Sequence, residues 1–182
     1  MTNKNTTSLK LLFESTDGFL RIYPIIVIIS SIAFYFIKPS LETFQIVCAI
    51  SISQMSVQVF KSFAQLIIKD KTIPFLGKGT RPKGAKNCGL IKNGKYSTSY
   101  GMPSGHSMLA ASFATSMTLY IMENDELTDT QKNIYLAILG FLTLSVMSSR
   151  VTLGCHTPGQ VFVGSGIGVG ISYAVRYFFK LK

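Results

Sequence analysis

Charge is scarce in this sequence. Charged side chains make up 14% of its 182 residues, against about 25% in an ordinary soluble domain. The shortage excludes a soluble helical core, because too little polar surface is left to cover the long apolar runs. Cysteine is scarce too. Cys48, Cys88 and Cys155 are too few for a disulfide scaffold. There are two histidines, His106 and His156, and no dedicated cluster of metal-ligand residues, so neither a metal nor another cofactor is expected. No secretory leader is evident, since no small-residue cleavage site follows the first apolar run. The GSGIGVG string at 164–170 lacks the preceding strand and spaced acidic residue of a dinucleotide loop.

What is present is apolar and basic. Hydrophobic residues make up 47% of the chain, and the net charge is +10. That charge points to an anionic partner: nucleic acid, anionic lipid or a phosphate-bearing substrate. The apolar runs favour the last two, so no nucleic acid is expected. The length permits one domain. Five runs approach the roughly 20 apolar residues a membrane span needs: 20–38, 43–68, 105–122, 133–149 and 158–178. The expected fold is therefore all-α, an integral membrane bundle of about five transmembrane helices. Residues 1–19 form a polar or amphipathic segment ahead of it, suited to the interface. The second run is rich in Ser and Gln and carries Lys61, so it faces other helices more than lipid. In the fifth, Gly164 and Gly168, or Gly166 and Gly170, lie four apart on one face and allow close helix packing.

Alternating spans place the basic loop 69–104 and the short loop near 149–158 at one membrane face. TRP (80–82), PSGH (103–106) and SRVTLGCH (149–156) can meet there, and they hold both histidines. These residue types suit phosphoryl transfer. Arginine forks grip phosphate oxygens and stay charged at any relevant pH. Ser104 and the amides of Gly105 and His106 open the third helix, where free N–H groups bind phosphate. Gly105 has no side chain to hold the phosphate off the backbone. One histidine can attack phosphorus while the other protonates the leaving oxygen.

PSGH followed by SR-x5-H, with RP ahead of both, resembles the type 2 phosphatidic acid phosphatase (PAP2) superfamily. Its pattern is K-x6-RP, PSGH and SR-x5-H-x3-D. YGMPSGHS and SRVTLGCHTPGQV are most similar to the dolichyldiphosphatase branch, and the likeness covers residues 60–170 of a domain spanning 20–182. The resemblance implies that His156 is the nucleophile, forming a phosphohistidine, and His106 the general acid. It implies that Arg81, Ser104, Gly105 and Arg150 hold the phosphate. Two positions depart from the pattern. The motif lysine falls on Pro74, flanked by Lys71 and Lys78, either of which can reach a phosphate or remain a solvated loop charge. The acid that orients the nucleophile is replaced by Gln160, whose amide oxygen is able to accept the imidazole Nδ1–H and fix the tautomer. The implied activity is hydrolysis of a lipid-linked diphosphate of the polyprenyl or dolichyl type in a multi-pass membrane protein. A phosphatidic acid or other lipid monoester phosphatase is the alternative within the class. A non-catalytic protein binding anionic lipid is the alternative outside it, and a pair of histidines argues against that one.

The face that carries the site stays open. Lys and Arg number 12 on that face and 5 on the other, and the positive-inside rule then places it in the cytosol. The dolichyldiphosphatase resemblance implies the lumen of the endoplasmic reticulum instead. Cys88 and Cys155 lie in loops of this face and can pair or stay free.

Overall fold

A computed structural model describes residues 4–69, 71–90 and 94–181, with side chains from residue 17 onward. Five helices account for most of it: α1 (Lys4–Ile37), α2 (Leu41–Ile68), α3 (Gly105–Glu123), α4 (Asp129–Thr152) and α5 (Pro158–Lys180). The segment expected to stand apart at the amino end is helical from Lys4 and runs without a break into the first apolar run. A two-residue hairpin, β1 (Thr72–Ile73) and β2 (Gly77–Lys78), interrupts the loop after α2.

Helices α1 (from Asp17), α2, α4 and α5 are each long and apolar enough to cross a membrane. The third run is a helix as expected, but it falls short of the other four in this respect. Its position explains why. Helix α3 packs against all four of the others, so much of its surface meets protein rather than lipid and can carry small and hydroxyl residues. Ser107, Ser112 and Ser116 are all buried on it. Ser112 Oγ and Ser116 Oγ each lie 3.0 Å from Ser172 Oγ of α5, and Ser172 Oγ donates to the Ser112 carbonyl at 2.9 Å. Buried hydroxyls in hydrocarbon need such partners.

The glycines of α5 divide cleanly. A Cβ on Gly164 would collide with the backbone of Ser104, and one on Gly168 with the carbonyl of Met108. Gly166 and Gly170 face open space. The pair 164/168 therefore sets the contact between α3 and α5. Around α3, Tyr23, Val27, Ile46, Ile50, Leu109 and Val146 form the apolar core. At the end of the bundle away from the loops, Lys38 and Glu126 pair at 2.9 Å and Arg176 pairs with Glu123, joining the helix ends there.

Candidate active site

The loop end of the bundle gathers the motif residues. His156 lies in the turn between α4 and α5. Gly154 makes that turn, with φ +64° in the left-handed region that a side chain disfavours. The N–H groups of Cys155 and His156 both donate to the Arg150 carbonyl, at 3.1 and 3.0 Å, so the end of α4 holds the histidine's backbone. Thr157 then caps α5. Its Oγ1 accepts the Gln160 N–H at 3.3 Å, and Pro158 occupies the first turn, where a missing donor costs nothing.

Gln160 fixes the chemical state of His156. Its Nε2 donates to the carbonyls of Lys78 (2.9 Å) and Thr80 (2.7 Å). The amide oxygen must therefore face the other way, where it accepts the Thr157 N–H at 3.3 Å and lies 3.1 Å from His156 Nδ1. Nδ1 then carries the proton. Arg81 gives the same answer from the opposite side. Its Nη1 is 3.1 Å from His156 Nε2, and a guanidinium only donates, so Nε2 presents a lone pair. Burial, reinforced by the Arg81 charge, pushes the His156 pKa down to about 3, against an opposing pull from the Gln160 hydrogen bond. The imidazole is neutral at any ordinary pH.

Arg81 is held at three further points. Nη1 donates to the Cys155 carbonyl at 2.8 Å, Nε to the Ser99 carbonyl at 3.0 Å and Nη2 to Ser99 Oγ at 2.9 Å. Burial lowers its pKa, although no physiological pH removes its charge. A disulfide between Cys88 and Cys155, with Cα atoms 5.4 Å apart, fastens the long loop beside the histidine. His106 opens α3. Its Nε2 lies 3.1 Å from the Arg21 carbonyl of α1, an acceptor only, so Nε2 bears the hydrogen.

Both histidines line a cavity of about 230 Å³ with Lys61, Arg81 and Gly105. Pro24, Ile25 and Ile28 of α1 and Val57 of α2 form its apolar side, and among the described residues no carboxylate lines it. A Cβ on Gly105 would sit 3.1 Å from a Val57 methyl, so this glycine also serves the contact between α2 and α3.

Four of the expected phosphate-binding residues lie outside that lining. Ser104 is fully buried, its hydroxyl accepts from Ser107 Oγ at 2.9 Å, and its N–H is taken by the Gln160 carbonyl at 3.1 Å. Arg150 is fully buried, its Nε donates to Ser149 Oγ at 3.0 Å, and among the described residues neither Nη has a hydrogen-bond partner. Lys71 and Lys78 are exposed. The hairpin they flank leaves both ammonium groups in solvent, and Lys78 contributes its carbonyl to Gln160 instead. Sequence reasoning passed over Lys61, Ser99 and the Arg21 carbonyl. Lys61 had a signal, an ionisable residue inside an apolar run. The other two had none.

The family model described as the PAP2 superfamily matches residues 42–182. The chain belongs to the PAP2 superfamily. Every polar residue of the cavity falls inside this PAP2 region, while α1, which supplies the carbonyl beside His106, precedes it. Two relatives are dolichyldiphosphatases. Dolichyldiphosphatase 1 of Dictyostelium discoideum is 38% identical over 88 residues, 45% of this chain and 38% of the relative. The dolichyldiphosphatase of Saccharomyces cerevisiae is 28% identical over 165 residues, 87% of this chain and 63% of the relative. The chain thus spans less than two thirds of either relative's length. The crystal structure of a transmembrane PAP2-type phosphatidylglycerolphosphate phosphatase from Bacillus subtilis shares the fold, with TM-score 0.63 and 20% identity, covering 94% of this chain and 77% of that one.

Proposed function

We propose that this protein is a membrane-embedded hydrolase that removes the terminal phosphate from a lipid-linked diphosphate of the polyprenyl or dolichyl type. One observation carries the reading. A buried neutral histidine of defined tautomer, His156, shares a cavity with Arg81, Lys61 and a second histidine, no carboxylate lines it among the described residues, and its other side is apolar. A phosphate bearing a lipid tail fits both sides at once.

The chemistry follows from the donors. The terminal phosphate competes for the Arg81 guanidinium and draws Nη1 from Nε2, which frees the lone pair. Nε2 attacks the terminal phosphorus and the bond to the bridging oxygen breaks. The anionic diphosphate, once bound beside it, favours the imidazolium form of His106, which gives its proton to the leaving lipid phosphate. Water then attacks the phosphohistidine and passes a proton to His106, and inorganic phosphate departs. Arg81 and the N–H groups that open α3 stabilise charge on the transferring group. Ile25, Ile28 and Val57 receive the first units of the tail.

The two dolichyldiphosphatase relatives support the diphosphate substrate. The Cys88–Cys155 disulfide supports a site facing an oxidising compartment, such as the lumen of the endoplasmic reticulum. It weighs against the cytosolic placement that counting Lys and Arg favours.

The test is phosphate release by purified protein from a polyprenyl diphosphate, a polyprenyl monophosphate and phosphatidic acid, with His156→Ala alongside. The diphosphate should turn over fastest and His156→Ala should release nothing. Release from none of the three, or release undiminished in His156→Ala, overturns the reading.

A further inference from the structure

We infer that Lys61, on α2, is a phosphate ligand of this site. The inference rests on the phosphate-hydrolysing reading above and adds a residue that no motif marks. Lys61 is 7% exposed, near the loop end of an apolar helix. A lysine so placed is costly unless an anion or a polar cavity receives it. Among the described residues no carboxylate pairs with it, since the ion pairs there involve Arg21, Lys38, Arg176 and Lys180.

What Lys61 does meet is Ser99 Oγ, 3.4 Å from its Nζ. The same hydroxyl accepts from Arg81 Nη2 at 2.9 Å. Ammonium and guanidinium groups are donors only, so two cations converge on one neutral oxygen. With no carboxylate lining the cavity among the described residues, their mutual repulsion is relieved by an anion lying between them. Both cations line the cavity that holds His156. Gln54, Val57 and Lys61 recur at helical spacing on one face of α2, and all three line that cavity. Lys61 thus stands at the polar end of a stripe that leads toward the apolar side. A flexible point charge there can follow the phosphate as the lone pair of His156 is released.

The exposed Lys71 and Lys78 supply no ammonium to the cavity. Helix α2 supplies the ammonium that those two lysines do not.

The test compares Lys61→Met, Lys61→Arg and Lys71→Ala in the full chain. Methionine keeps the length and favours the membrane interior, so folding should survive. Turnover of polyprenyl diphosphate should fall roughly 10- to 100-fold in kcat/KM for Lys61→Met, the scale of one charge-assisted hydrogen bond. It should recover in part in Lys61→Arg and stay level in Lys71→Ala. A second readout is independent of turnover: orthovanadate, a phosphate mimic, should raise the melting temperature of the wild type and of Lys71→Ala but not of Lys61→Met. Wild-type activity with an undiminished Lys61→Met rate and an undiminished vanadate shift overturns the role of Lys61 alone. An inactive wild type whose vanadate shift is lost in Lys61→Met overturns the hydrolase reading and keeps Lys61 as a ligand.

Discussion

Gln160 stands where a carboxylate is the usual partner of a nucleophilic histidine, and the difference has a sign. A carboxylate favours imidazolium and raises the histidine's pKa, whereas an amide oxygen orients the ring without that pull. Burial and Arg81 hold His156 near 3, so the neutral nucleophile persists well into acid. Gln160→Glu should raise that pKa and move the acidic limb of the kcat/KM profile to higher pH. The variant should also lose stability, because a carboxylate cannot donate to the Lys78 and Thr80 carbonyls, and each buried acceptor left alone costs about 1–3 kcal/mol. Gln160→Leu should instead lower the rate at every pH, since nothing then fixes the tautomer. A Gln160→Leu profile matching the wild type would reduce the residue to packing. The contact with His156 was legible from the four-residue spacing. The two carbonyls that fix the amide were not, because they lie some 80 residues back in a loop whose path no local pattern dictates.

At the scale of the helices, α5 approaches α3 through Gly164 and Gly168, and a side chain at either meets backbone rather than a yielding side chain. Gly168→Val should lower the melting temperature by the equivalent of about 1–3 kcal/mol or more and should weaken turnover with it, since Gly168 packs on Met108, one turn along α3 from the residues that open it at the site. Gly166→Ala should be neutral or stabilising, because its position is open and alanine is the better helix former. Equal effects at 166 and 168 would contradict the assignment of the packing face. The five apolar runs were legible from hydropathy. The face of α5 was not, because two glycine pairs of equal spacing compete and only the neighbour decides. The central place of α3 was equally hidden, since no local pattern shows that Ser172 stands opposite its serines. Lys71 and Lys78 were expected at the site because motif spacing counts residues. The hairpin between them turns both ammonium groups outward.

For the whole molecule, the disulfide and the charge count make opposite statements about orientation. The count takes Arg81 and its neighbours only as charges, although cations that bind substrate say nothing about topology. The bond between Cys88 and Cys155 favours the oxidising side that the proposed function assigns to the site. In sealed microsomes, a membrane-impermeant thiol reagent should fail to label either cysteine until reductant and detergent are added, and labelling from the cytosolic side without them would reverse the orientation. On the proposed mechanism Arg81 and Lys61 neutralise the phosphate and leave no task for a divalent ion, so exhaustive EDTA treatment should leave the rate nearly unchanged, whereas a large loss restored by magnesium would contradict the cationic site. The central claim is that His156 takes the phosphate covalently. Rapid acid-free quenching of the enzyme during turnover of polyprenyl [β-³²P]diphosphate tests it most directly. The account predicts label that is stable to alkali, labile to acid and located on His156, with none in His156→Ala. Turnover at the full rate with no phosphohistidine trapped, or label retained in His156→Ala, would contradict it.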